Sequence, residues 1–191
     1  MERTPPIEPE NLDEKQRPLY DAISGVMDTH YKGKFAYKTP SGAFLGPMQT
    51  LLYTPSLANT SFALQQQLAT LPGLPKLARE TAILTTSVLY CNEYMQYSHG
   101  ILAEANGLSN EQIALIKAGR KPDTLDTASS VAYDVATGII AQKGPLGQEL
   151  WENGVQVLGR EGMLALLHYV GFYSYTSIVL NGCNIEAPTH N

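Results

Sequence analysis

Cysteine is scarce in this chain: Cys91 and Cys183 are the only two among 191 residues, and they stand far apart. Two isolated thiols make no disulfide framework, and no Cys/His cluster has zinc-ligand spacing. We read them as reduced, half-buried thiols, with no metal site and no bound cofactor expected. Cationic residues are also few. Thirteen Lys and Arg against 18 Asp and Glu give a net charge of −5 and a pI near 5.3. Close basic pairs such as Lys32/Lys34 and Arg120/Lys121 are few and scattered, whereas a nucleic-acid footprint needs clustered cations. No apolar run approaches the ~20 residues of a membrane span. Residues 1–12 are polar and proline-rich without an apolar h-region, so no secretory signal is expected and the protein reads as cytoplasmic. Strand-like alternation bounded by hairpin turns is missing too, as are internal repeats.

What is present is helix signal, and the fold class expected is all-α. The length suits a single domain over 1–191 with an extended arm at 1–10. Asn11 and Glu14 have capping-box form and open a helix running to about Met27, with Pro18 awkwardly inside it. Residues 28–50 carry Gly33, Pro40, Gly42, Gly46 and Pro47 and read as a long ordered loop, a feature often tied to function. Thr54 and Pro55 give an N-cap followed by proline at the first helical position, starting a helix to about Ala69. After the break at Leu71–Pro75, the stretch from Lys76 to Asn106 has no proline and only Gly100 inside it. It is expected to form one long helix ending at Gly107.

Ser109 and Gln112 form a second capping box, for a helix stopping at Gly119. The segment Thr127–Gln142 carries an i, i+4 apolar stripe through Val131, Val135 and Ile139. Residues 147–158 and 160–181 complete the set. The last of these is apolar nearly all round, so it is expected to be buried on every side, centrally or across a subunit interface. Charged residues are only 16% of the chain against 43% hydrophobic, which also points to surface covered by a partner subunit.

The chemistry-bearing residues concentrate between Arg79 and Leu108. On a straight helix Asn92, Met95, Gln96 and His99 share one face, at steps of three and four. A histidine there can act as general acid or base, because its ordinary pKa lies near neutrality, or it can be a structural histidine bonded to a backbone carbonyl. Tyr90, Tyr94 and Tyr97 crowd the same stretch, and His168 and Tyr173 come from the last helix. Tyrosines offer apolar area with a hydroxyl handle, as a flat oxygenated ring requires, but each is equally at home in ordinary packing. Asn181 is either a substrate contact or a C-terminal helix cap.

Glu80 followed by Ile83-Leu84, an aromatic-rich helix, His99, Ala103 and then Gly107-Leu-Ser109 resembles the carboxymuconolactone decarboxylases and alkylhydroperoxidase D proteins. Flanking residues agree: Gln16-Arg17, Tyr20 and Ala22, Leu45-Gly-Pro47, Leu51 and Pro55. So do Trp151, Leu158-Gly159, Gly171-Phe-Tyr173 and Leu180-Asn181 toward the end. The resemblance covers nearly the whole chain and implies an oligomeric helical bundle, as a homotrimer or a hexamer. The redox branch of that family places cysteines at the positions of Asn92 and Met95, so the thiol pair is lost here. Cys91, one residue off, cannot replace it. The decarboxylase branch places glutamate and tryptophan at the positions of Met95 and Gln96, so the usual carboxylate is missing too.

His99 and Glu80 survive, and the resemblance implies that they act together. They lie nineteen residues apart, so they meet only through a bend or a fold contact. The reading that follows is a decarboxylase-like, cofactor-independent lyase or isomerase moving a proton on a small oxygenated ring substrate. His99, Glu80 and Tyr97 are the catalytic candidates, and Asn92, Tyr94, Met95 and Tyr173 the substrate-binding ones. An isomerase, dehydratase or cyclase of polyketide-type metabolism, and a non-catalytic oligomeric binding protein, stay open beside it.

Overall fold

The structure, a computed structural model, describes residues 2–188. Eight α-helices follow a short 3-10 turn: α1 Gln16–Tyr31, α2 Pro47–Leu51, α3 Pro55–Leu68, α4 Lys76–Leu89, α5 Glu93–Ala105, α6 Asn110–Lys117, α7 Thr127–Gln142 and α8 Gln148–Cys183. Among the described residues there is no strand, only one isolated bridge between Lys38 and Phe44. The all-α expectation holds.

Several boundaries move, each for a local reason. The helix expected from Asn11 starts at Gln16 instead. Asp13 accepts the amide of Gln16 at 2.8 Å, and the Gln16 side chain accepts the amide of Asp13 at 3.0 Å. This reciprocal cap lies two residues later than Asn11/Glu14 and leaves Pro18 in the opening turn, where a missing N–H does little harm. The helix also runs past Met27 to Tyr31, and Pro47 opens a one-turn helix. The irregular segment is therefore 32–46 rather than 28–50. Thr54 stands at the start of α3 as expected, but its side chain makes no capping bond. The boundaries of α6 and α7 match, and the Ser109/Gln112 box is formed.

The long helix expected over 76–106 is two helices. Asn92 donates its amide to the Ser87 carbonyl at 2.8 Å, and Cys91 donates to Val88 at 2.9 Å, closing α4 with Cys91 left-handed at φ 52°. The Asn92 side chain then accepts the Met95 amide at 2.9 Å and caps α5. Asn181 of α8 locks this corner. It accepts from the Asn92 side chain and donates to the Tyr90 carbonyl, both at 2.6 Å.

The centre of the bundle is α4, not the last helix. Residues 80–87 of α4 are all buried, and α4 packs against α5, α6, α7 and α8. Its buried face is built from Ala78, Thr81, Ala82, Thr85, Thr86 and Ser87. These are small side chains that let neighbouring helices approach. Thr81 and Ser87 donate to the carbonyls of Leu77 and Leu84 in their own helix, which removes part of the penalty for burying them.

The last helix, expected to be buried centrally or across a subunit interface, leaves Leu164, Tyr175 and Ile178 at 45%, 42% and 58% exposure within the single chain. Gly159, at φ 70° and ψ 168°, divides α8 into the two helices that the sequence suggests. By length and composition α8 does hold a stretch apolar enough to cross a membrane, contrary to expectation, but half of that stretch is buried inside the bundle.

A second core cluster joins Leu19, Ile23 and Met27 of α1 to Phe44, Met48, Leu52 and Phe62. The N-terminal arm runs over this half and ties it to the end of α8. Arg3 donates its backbone amide to the Cys183 carbonyl at 2.9 Å and its guanidinium to the Gly182 carbonyl at 2.8 Å. Gln49 of α2 donates to the Thr4 carbonyl, and Tyr53 donates to that of Pro5 at 2.7 Å.

Candidate active site

The corner between α4 and α5 turns the chain back, so Glu80 near the start of α4 faces His99 in the middle of α5. Their side chains meet at 2.9 Å, Glu80 Oε2 to His99 Nδ1. The other carboxylate oxygen of Glu80 takes Arg79, 3.2 Å from the guanidinium. Arg79 in turn lies over the ring of Tyr169, 5.8 Å from its centre. Glu80 is 3% exposed and His99 8%. Burial opposes ionisation of Glu80, but the hydrogen bonds and charges of His99 and Arg79 outweigh it and hold its pKa below the ordinary carboxylate value.

His99 forms part of the wall of a cavity of about 270 Å³ between the N-terminal core cluster and helices α5 and α8. Tyr94, Met95, Ser98 and Leu102 come from the same helix. Tyr31 and Phe35 close one side, Leu45, Met48 and Leu51 another, and Phe172, Tyr173 and Thr176 of α8 a third. The rings of His99 and Tyr173 meet edge to face, 4.9 Å between centres. Burial first, and then the negative charge of Glu80, pushes the Tyr173 hydroxyl pKa well above its ordinary value, so it stays a proton donor. No hydrogen bond engages that hydroxyl among the described residues.

The residues expected at the site divide. His99, Tyr94, Met95 and Tyr173 all line the cavity, and Glu80 reaches it through His99. Asn92 and Tyr97 do not line it. Asn92 is the buried cap of α5, a role hidden by reading 76–106 as one straight helix. The Tyr97 hydroxyl accepts the amide of Ala36 at 2.9 Å, while that of Tyr94 donates to the Ala36 carbonyl at 3.1 Å. The two tyrosines clamp the 32–46 loop onto α5. Tyr97 therefore sits on the loop's backbone, away from His99. His168, on the same helix as Tyr173, is exposed and does not line the cavity, and Cys91 is exposed rather than half-buried.

Sequence reasoning did not single out Tyr31, Phe35, Met48 or Thr176. They come from four separate segments, and nothing in their local patterns signals that they converge. Among the described residues no group of three or more His, Cys, Asp or Glu side chains could hold a metal ion.

No family model matches the chain, and no curated protein matches its sequence. The fold does have a solved counterpart, a crystal structure of an alkylhydroperoxidase AhpD core, an uncharacterized peroxidase-related protein from Ralstonia eutropha JMP134. The two superpose with a TM-score of 0.77 over 98% of this chain and 92% of that one, at 17% identity. The chain has the alkylhydroperoxidase D-like helical fold.

Proposed function

We propose that the protein is a cofactor-independent lyase or isomerase that moves a proton beside a carbonyl group of a small oxygenated ring substrate. The observation that carries this reading is the 2.9 Å contact between Glu80 and His99 on the wall of an apolar cavity. An ionised Glu80 accepts the Nδ1 proton, which leaves Nε2 as the basic nitrogen and stabilises the imidazolium once it forms. Tyr173, protonated and next to the imidazole ring, is placed to polarise the carbonyl and hold the enolate oxygen. That role falls to Tyr173 rather than to Tyr97, whose hydroxyl is on Ala36.

The chemistry needs neither thiol nor metal on this reading. The redox-cysteine positions hold a helix cap, Asn92, and a wall residue, Met95, so a thiol peroxidase cycle has no thiol pair to run on. A purely structural or binding role is less well supported, because His99 lines the cavity instead of being packed away. We further propose that the chain self-associates through the apolar side chains that α3 and α8 leave exposed.

The substrate need not be known to test the base. In D2O, wild-type protein should speed deuterium exchange at the activated carbon of a neutral ring ketone such as 2-tetralone, read by proton NMR. His99 takes the proton from carbon, the solvent exchanges it, and a deuteron returns to the same carbon. His99→Ala should lose roughly 10²- to 10⁴-fold of the catalysed rate, the scale of a general base. Wild-type exchange by a correctly folded His99→Ala protein would reject the mechanism.

A further inference from the structure

Taking His99 as the base, as above, we infer that the cavity selects an uncharged, hydroxyl-bearing ring compound and rejects carboxylic acids, so that decarboxylation is not the reaction. Two independent observations lead there. The first is charge. No Asp, Glu, Lys or Arg belongs to the lining. Of the cations around it, Arg79 is already committed to Glu80, and Lys34 is exposed outside the lining, 5.9 Å from the ring centre of Tyr31. Glu80 itself, ionised behind His99, adds a negative potential where a substrate carboxylate would have to sit. The amide nearest that point at the start of α5 is taken as well, since Met95 N–H is bonded to Asn92. A carboxylate entering this cavity would be desolvated with no lysine or arginine in the lining to pair with it, which is unfavourable.

The second observation is the direction of the lining's hydrogen bonds. Thr50, Ser98 and Thr176 each donate their hydroxyl proton to a carbonyl of their own helix, at 2.8, 3.0 and 2.9 Å. Tyr53 and Tyr94 donate theirs to Pro5 and Ala36. What these five groups can still offer a ligand is lone pairs, and His99 Nε2 offers another. This part of the wall offers acceptors, so a ligand hydroxyl placed against it finds a partner. Donors remain beside them, since the hydroxyls of Tyr173, Tyr31 and Ser61 and the side-chain amide of Gln65 also belong to the lining, and Tyr173, next to His99, is the one placed for a carbonyl oxygen. An aromatic or polycyclic ketone carrying hydroxyl groups meets both conditions.

The test uses three probes of one size on the full-length protein at neutral pH, by calorimetric titration. 2-Naphthol is neutral and donates a hydrogen bond, 2-methoxynaphthalene is neutral and does not, and 2-naphthoate is an anion. The naphthol should bind at least about tenfold more tightly than either of the others. Gln65→Arg, at the half-buried edge of the cavity, should supply the missing cation and raise naphthoate affinity at least fivefold. Thr176→Lys is a second, deeper variant with the same expected direction.

Equal or tighter binding of naphthoate by the wild-type protein would overturn the inference. So would no measurable binding of naphthol, or naphthoate affinity unmoved in both variants. The base and the ligand class fail separately. Naphthoate winning while deuterium exchange still depends on His99 would keep the base and restore decarboxylation. Naphthol winning while exchange ignores His99 would keep the ligand class and remove the base.

Discussion

Cys91 occupies a position that glycine fills elsewhere in this chain. The same closing pattern ends α5 at Gly107 and α6 at Gly119, both with positive φ, and there the absence of a Cβ makes the left-handed turn cheap. At Cys91 the identical turn is made by a residue with a side chain, at φ 52°. Cys91→Gly should therefore stabilise the protein by about 0.5–1 kcal/mol, visible as a higher urea midpoint. Turnover should not change, because the thiol is exposed and away from the cavity.

Glu80 makes the second residue-scale prediction. Its pKa is lower in the folded protein than the ordinary 4.5, so its contribution to stability is fully present above that value. It is lost as pH falls through the lower, folded value. The gap in urea midpoint between wild type and Glu80→Gln should thus be largest near neutrality and shrink steadily below about pH 4.5. A gap independent of pH would mean that Glu80 is not ionised in the fold.

Among these residues the sequence was legible where local pattern and chemistry coincide. His99 and Met95 face the cavity together because the i, i+4 spacing holds within α5. Asn92 was misplaced because a run without glycine or proline hides a break whose left-handed residue is a cysteine. The cue was present nonetheless: Asn92 followed by Glu93 has the composition of a helix start.

At the scale of elements, the 32–46 loop behaves as part of the core. Two tyrosines of α5 hold Ala36, and Tyr20 donates to the Gly42 carbonyl at 2.8 Å. Lys38 lies within 5.7 Å of the ring centres of Tyr20, Tyr37 and Phe44 and pairs with Asp28 at 2.9 Å. Gly46 then lets the chain pass against Tyr94. A Cβ there would fall 2.2 Å from the tyrosine ring, on a backbone with φ 66°. Gly46→Ala should destabilise by roughly 2 kcal/mol or more, since strain and overpacking add. The probe binding described above should weaken too, because Leu45 and Pro47 line the cavity on either side. An unchanged melting temperature would show that the loop is not held as the contacts indicate.

Element order was readable from capping residues and breaks, but element placement was not. Apolar composition suggested α8 for the centre or for a subunit interface; the centre is α4, which takes it through small side chains that satisfy part of their own polarity. Periodicity reports which face is apolar. It does not report how closely two backbones can approach.

At the scale of the molecule, exposed apolar area is concentrated on α3 and α8. Leu57 and Leu64 stand at 49% and 50% exposure beside the exposed part of α8, and the shallow groove between the two helices is lined by Leu57, Leu64, Leu167, Phe172 and Tyr175. The proposed self-association predicts a mass by light scattering at a multiple of 20.8 kDa at micromolar concentration, with three or six copies expected. Leu64→Glu together with Leu57→Glu should shift it toward the monomer without loss of helical signal. A stable wild-type monomer would reject the proposal.

The arm that ties residues 2–5 to the end of α8 has a consequence for how the protein is made. Thr4 and Cys183 both line the cavity, and Arg3 joins to the backbone of residues 182 and 183. Residues 2–5 thus wait for residues 182 and 183 before the chamber has its final wall. During synthesis the N-terminal core cluster can collapse early, as segments of a nascent chain do. A ribosome-bound chain stalled before residue 180 would nevertheless lack Tyr173's finished surroundings and the arm's anchor. Ligand capture should therefore begin only once residues 182 and 183 have left the exit tunnel, so that a shorter nascent chain holds no ligand.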